Sequence, residues 1–444
     1  MKDAKLSKLW DSLHSSFWFV PTLMVVLAIG LSFLTIAIDQ RQATDSIGEL
    51  GWASSLGPNG SRAILSAIAG SMVSVATTAF SITIVALQLA SSQFGPRLLR
   101  NFMQDTGNQV VLGTFISTFV YSLMVLRTIN GVDDNEFVPH LAVTCGLILA
   151  IASIGVLIYF IHHSASSIQV DQVIKKVGSD LDHAIDRLFP EKIGRSASKP
   201  QQEQSIAEIS PNFAQVSCSI KAIAGGYVQA IDDKQLMQIA TEKHLLLQVQ
   251  QRPGHFVVQG SELLRVFPKE KVKKQLTAQI NQAFVLGSQR TEQQDIEFSI
   301  DQLVEIAVRA LSPGINDPFT AIRCIDQLNA ALCHFAQREI PSPYRYNDHG
   351  QLRIIAEPIA FADVADAAFN QIRQYGQSSV AVTIRLLEAI TVIASFTHRA
   401  ADQMTLRRHA DMIERGSQAG VAEELDRQAI QERYLAAVKA IEQH

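Results

Sequence analysis

A chain of 444 residues with 47% hydrophobic and only 18% charged residues is too long for one folding unit and too poor in charge for an ordinary soluble protein. The formal charge of −4 is too mild to name a partner, and the absence of a basic stripe, zinc-finger spacing or RNA-binding signature excludes nucleic acid as an expected one. Cys145, Cys218, Cys324 and Cys333 form no CxxC pair and read as small buried residues of a reducing compartment.

In chain order, the charges are sparse up to about residue 165 and frequent after it, so a membrane half precedes a water-soluble half. A membrane helix needs roughly 20 apolar residues, and four stretches qualify. They are Phe17 to Ile38, Ala63 to Ala90, Gln109 to Leu126, and Phe137 to Ile161. The first is too long for the apolar core of a cleaved signal and is expected to be retained. Lys2, Lys5 and Lys8 precede the first span, Arg97 and Arg100 follow the second, and Lys175 and Lys176 follow the fourth. Positive charge marks the inner side, so both ends are expected in the cytoplasm, although Arg41, Arg62 and Arg127 fall on the outer side.

The second span is unusual. Its charge-free run contains AGSMVSVATTAFS, residues 69–81, rich in small and hydroxylated side chains. Steps of four and three residues place Ala63, Ala67, Gly70, Ser74, Thr77, Ser81, Ile84, Gln88 and Ser91 on one helix face. Large side chains such as Met72, Val73, Phe80, Ile82 and Leu87 lie off it. Two readings stand. One is close helix packing, for which small residues and hydroxyls suit an apolar solvent. The other is a water-filled or ion-conducting path lined by Gly70, Ser74, Thr77, Ser81 and Gln88. In the third span Thr114, Thr118 and Tyr121 form a candidate second polar face. No span carries an ionisable residue near its middle, which argues against a proton relay or coupled pump. The second helix outruns the membrane, and Gly95-Pro96 stops it. Beyond that stop, Arg97 and Arg100 are candidate contacts to lipid phosphates or to the inner mouth of a path.

SITIVALQLASSQFGPRLLRNF (Ser81 to Phe102) and QVVLGTFISTFVYSLMVLRT (Gln109 to Thr128) resemble a bacterial family of predicted membrane proteins, domain of unknown function 2254. RALSPGINDPFTAIRCIDQL (Arg309 to Leu328) and the pair GGYVQAID and RPGHFVVQG (Gly225 to Asp232, Arg252 to Gly260) match the same family. The resemblance implies an inner-membrane protein with a cytoplasmic C-terminal part. It carries over no activity and no functional residues.

After His162-His163 a helical period through Ile174, Val177, Leu181, Ile185 and Leu188 predicts that the fourth span continues as a helix. The paired histidines point to different sides of a helix and read as interfacial residues rather than a metal site. A linker rich in Lys, Ser, Gln and Pro follows. Residues 213–268 then read as a small β module, with turns at Gly225-Gly226, Pro253-Gly254 and Gly260. Its Gly and Pro spacing looks like the barrel-sandwich of lipoyl and biotinyl carriers. Lys234, however, sits before a helical stretch rather than in a tight hairpin, so a carrier role is rejected.

From Lys269 the chain reads as helical, with one strand-like run, LRIIAE. Asp317 caps a helix whose first residue is Pro318. Two readings stand there: a well-capped turn, or a ligand or subunit contact formed by Asn316, Asp317, Arg309 and Arg323. No P-loop, GxSxG elbow, HExxH or dinucleotide fingerprint occurs, so no catalytic, metal or cofactor site is expected.

The expected architecture is four transmembrane helices (1–165), a cytoplasmic helix and linker (166–212), the barrel-sandwich-like β module (213–268) and a helical domain (269–444), the last three forming a cytoplasmic α+β region. The expected function is a homo-oligomeric inner-membrane channel or passive pore for an ion or small solute. The alternative is a membrane-anchored sensor or scaffold whose cytoplasmic half binds a ligand or protein partner.

Overall fold

A computed structural model describes residues 18–42, 57–95, 105–130, 137–167, 169–189 and 216–443. The chain divides into two units, Lys2–Gln172 and Val173–His444. Among the described residues the first contains four helices, α1 (Phe19–Gln42), α2 (Pro58–Phe94), α3 (Thr106–Leu126) and α4 (His140–Ser167). All four are long and apolar enough to cross a membrane. α2 has Pro at its first position, stops at Gly95 (φ 102) and runs 37 residues. That is about 55 Å of helix against roughly 30 Å of hydrocarbon.

α3 is the central helix and packs on α1, α2 and α4. Val111, Phe115, Thr118, Tyr121 and Val125, spaced by three and four residues, are all buried. Gly113 allows α1 to come close, because a Cβ there would lie 2.5 Å from Met24 Sδ and 3.2 Å from Pro21 Cα. At one end of the bundle, Asp39 of α1 accepts from the Leu141 and Ala142 amides of α4, both at 3.0 Å. A carboxylate from one helix thus satisfies the orphan donors of another. At the other end Asp105 caps α3, accepting from Gly107 N at 2.8 Å. His163 Nε2 lies 2.8 Å from the same carboxylate, and the Tyr159 ring stacks on His163.

In the second unit, α5 (Val170–Leu188) buries Val173, Ile174, Val177, Leu181 and Ile185, the period seen in the sequence. α4 ends at Ser167, so two helices stand where one continuous helix was expected. Eight strands follow: β1 (Cys218–Lys221), β2 (Gly226–Ile231), β3 (Leu246–Val249), β4 (Phe256–Val257), β5 (Glu262–Phe267), β6 (Phe284–Gly287), β7 (Tyr344–Tyr346) and β8 (Leu352–Ala356). Helix α6 (Asp233–Glu242) connects β2 to β3, and α7 (Lys274–Ala283) lies between β5 and β6.

The strands form two sheets, ordered β1-β5-β3-β8-β7 and β4-β2-β6. Ile220, Val228, Leu236, Leu247, Leu264 and Ile280 belong to their shared core. This corrects the expected module. The sheets do not close into a barrel, and the strands are not confined to 213–268. β6, a four-residue strand behind α7, pairs with β2. β8 joins β3 in parallel, which requires a long crossover through the intervening chain. Lys234 lies in the first turn of α6, behind the cap Asp232, as its sequence context implied.

The rest of this unit is helical: α8 (Ile296–Ala310), α9 (Pro318–Ala336), α10 (Phe361–Gly376), α11 (Val380–Ala394), α12 (Ala400–Gly420) and α13 (Glu424–Gln443). Phe335, Phe361, Leu387, Ile390 and Leu406 are among its fully buried side chains. All four cysteines are free thiols. Burial pushes the Cys324 thiol up, and Cys333 up to about 11.

Candidate functional site

The hydroxyl stripe of α2 faces away from its own subunit. Gly70, Ser74, Thr77, Ser81 and Gln88 are all exposed, whereas Leu65, Ile68, Met72 and Ala79 on the other side are buried. Outside its own stretch of helix, no described residue lies within 4 Å of a Cβ placed on Gly70. Ser74 donates to Gly70 O at 3.2 Å, Thr77 to Val73 O at 2.9 Å and Ser81 to Thr77 O at 2.9 Å. Each hydroxyl proton is therefore used within the helix, and the oxygen lone pairs remain for whatever meets this face. These three hydroxyls offer acceptors, not donors. Val73, Phe80, Ile82 and Val85 flank it and are exposed too.

The second polar face divides. Thr114 donates to Val110 O within its own helix at 2.8 Å. Thr118 is buried, 3.2 Å from Ser153 Oγ on α4. Tyr121 is fully buried; its hydroxyl lies 3.0 Å from Thr35 Oγ1 on α1 and donates to Ala142 O on α4 at 3.0 Å. Within one subunit these two side chains pin helices together and line no open path. Their spacing alone does not distinguish these uses, since a polar face turned inward has the same period as one turned to water. Arg97 and Arg100 lie outside the described residues.

The turn before α9 is exposed at Gly314, Ile315 and Asn316, and Asn316 adopts φ 51. Asp317 accepts from Thr320 N at 3.1 Å and from the Thr320 hydroxyl at 2.6 Å. The hydroxyl bond holds its carboxyl below the usual range. A carboxylate of the chain itself thus occupies the helix start that the sequence offered to an anion. Arg309 pairs with Glu305 at 3.3 Å, and Arg323 is exposed on α9. Phe319, beside this turn, is 74% exposed.

The second unit also holds a cavity of about 800 Å³ that no local motif announced. It lies along α6, the β7–β8 hairpin and the segments before α8 and α10. A charged network borders it. Arg290 grips Asp295 with two bonds, 2.7 and 2.9 Å, and Asp301 with one of 2.6 Å. Arg252 reaches Glu297 at 3.3 Å and Asp363 at 3.1 Å. Burial raises the Glu297 carboxyl and, with Arg252, lowers His255. The residues come from positions 188–359, so only the fold assembles them. Among the described residues no group of three or more His, Cys, Asp or Glu could hold a metal ion.

Comparison with known proteins agrees with the four apolar helices. An uncharacterized protein of Mycobacterium bovis is 32% identical over 422 residues, covering 94% of this chain and 79% of its own length. One from Mycobacterium tuberculosis matches to the same extent. No solved structure matches. Residues 14–392 match the family described as predicted membrane protein, and the chain belongs to that family, domain of unknown function 2254.

Proposed function

We propose that the chain is one subunit of a homo-oligomeric channel or passive pore in the bacterial inner membrane, with both termini in the cytoplasm. The observation that carries this reading is the outward direction of the α2 stripe. Gly70, Ser74, Thr77, Ser81 and Gln88 are exposed among the described residues of the subunit, so copies of α2 can surround a path. The Ser74, Thr77 and Ser81 hydroxyl protons are bound to backbone, so these three turn acceptor oxygens to the path, which suit a cation or water. Gln88 adds a carboxamide that both donates and accepts. No catalytic step is assigned. The C-terminal unit holds the oligomer together and gates it.

The test is single-channel recording of the purified protein in planar bilayers. Wild type should give discrete, cation-preferring currents, and Ser74→Leu and Thr77→Leu should abolish them. Currents unchanged in both variants, or none from wild type, overturn the pore.

A second reading, a membrane-anchored sensor, is favoured by one observation, the large cavity of the C-terminal unit. The exposed turn at Asn316 and Asp317 remains its proposed docking surface for a partner. Substituting both with Ala should remove partner capture from a membrane extract without lowering the melting temperature; unchanged capture removes that assignment.

A further inference from the structure

The cavity in the C-terminal unit has on its wall a half-buried cation, Arg345, that makes no ion pair among the described residues. At about 800 Å³ it is the size of a small-molecule site. Ile231, Met237, Val249, Ile296, Ile354 and Ile359 give it apolar walls. Arg345 on β7 stands opposite Ile354 on β8, and directly paired residues of an antiparallel ladder share a face. Both line the cavity.

Arg345 is half-buried, and its guanidinium donates only to the neighbouring Tyr344 O, at a long 3.4 Å. Among the described residues it makes no ion pair. Asp233 acts on it through charge alone, and burial lowers its pKa. Arg252, on the same cavity, has two carboxylates. A desolvated cation without a counter-charge is costly, and a bound anion removes that cost.

The remaining charges narrow the anion. Asp295 and Glu297 are already held by Arg290 and Arg252. Asp233, Glu242, Asp348 and Glu357 line the cavity but are exposed, at its rim, as is the cation Lys234. Four rim acids outweigh the exposed Lys234 and repel a polyanion such as a nucleotide, and the half-buried guanidinium of Arg345 matches one negative group. The apolar walls match a hydrocarbon body.

We propose that this cavity binds a small amphipathic monoanion, a carboxylate with an aliphatic or aromatic body, and that Arg345 holds the carboxylate. This rests on the sensor reading of the C-terminal unit and is independent of the pore.

The experiment is calorimetric titration of the full chain in lipid nanodiscs with 2-naphthoate, 2-naphthylmethanol and 2-naphthylmethylammonium, with empty nanodiscs as the blank. The naphthoate should bind saturably and at least tenfold more tightly than the alcohol or the cation. Arg345→Gln should weaken it tenfold or more, and Arg345→Lys less. If Arg345→Gln melts below wild type, Ile359→Trp carries the test, because it narrows the cavity without touching the charge; it should abolish binding, and retained binding overturns the site. Equal binding of alcohol and carboxylate, or full binding by Arg345→Gln, overturns the anion assignment and leaves the cavity a ligand site. Wild type that binds none of the three probes overturns the ligand site itself.

Discussion

The two units bury polarity in opposite currencies of chemistry. In the membrane unit the buried polar groups are neutral: the Thr118–Ser153 pair, and Tyr121 between Thr35 and the Ala142 carbonyl. Ionisable side chains such as Asp39, Asp105 and His163 sit towards helix ends. The C-terminal unit buries ions and a titratable ring. Asp295 is 2% exposed beneath Arg290, and His409 is fully buried beside Asp366. The difference follows from the solvent each unit displaces. Hydrocarbon offers a charge no second shell, so only hydroxyl-to-carbonyl bonds are tolerable at depth. A water-soluble core tolerates a charge when several partners surround it.

Three changes test that contrast, from the largest effect to the smallest. Arg290→Ala strands the buried Asp295 carboxylate beside Asp301. It should cost the C-terminal unit about 3–5 kcal/mol. Hydrogen exchange should speed up in α8 while α3 is unaffected, and equal acceleration in both units would break the comparison.

Acid comes next. His409 Nε2 lies 2.9 Å from Asp366, off the hydrogen-bond direction, with the Phe369 ring against it. Burial above all lowers its pKa to about 4. Between the ordinary histidine value and that depressed one, the unfolded chain binds the proton and the folded chain does not. The neutral ring is accommodated at no proton-linked cost above about pH 6.5, and stability falls as pH drops, by about 2–3 kcal/mol at pH 4.5. Exchange in α12 should rise over that range, and His409→Leu should flatten the slope. A slope unchanged in the variant assigns the acid sensitivity elsewhere.

The smallest effect compares hydroxyls inside the membrane unit. Tyr121→Phe removes the bonds to α1 and α4 and should cost about 1 kcal/mol. Thr77→Val removes only a bond within α2 and should stay within about 0.5 kcal/mol. Thermal unfolding in detergent separates the two, and equal shifts would mean that the outward stripe is as structural as the inward pins.

The four spans were legible because length and apolarity alone define a membrane helix. The caps at Asp232 and Asp317 were legible because side chain, offset and first-turn residues coincide. The face of α2 was legible as a face, but what opposes it depends on neighbours that helical period does not encode. The same limit left Tyr121 as part of a candidate second polar face, whereas in the structure it closes a three-helix contact. β6 escaped because four residues behind a helix carry too little alternation. The cavity escaped because Arg345, Ile231 and Ile296 belong to different segments, two strands and a helix, joined only in the folded unit.

The parallel pairing of β3 with β8 has a consequence for how the protein is made. β3 leaves the ribosome early, while its partner follows about a hundred residues later, roughly 5–20 s at ordinary rates of synthesis. Throughout that interval the nascent sheet has an open edge at Leu247, Gln248 and Val249, an invitation to aggregation. The C-terminal unit therefore completes its fold only late in translation, and a holdase that covers this edge while the ribosome finishes α8 and α9 should raise the yield of intact protein.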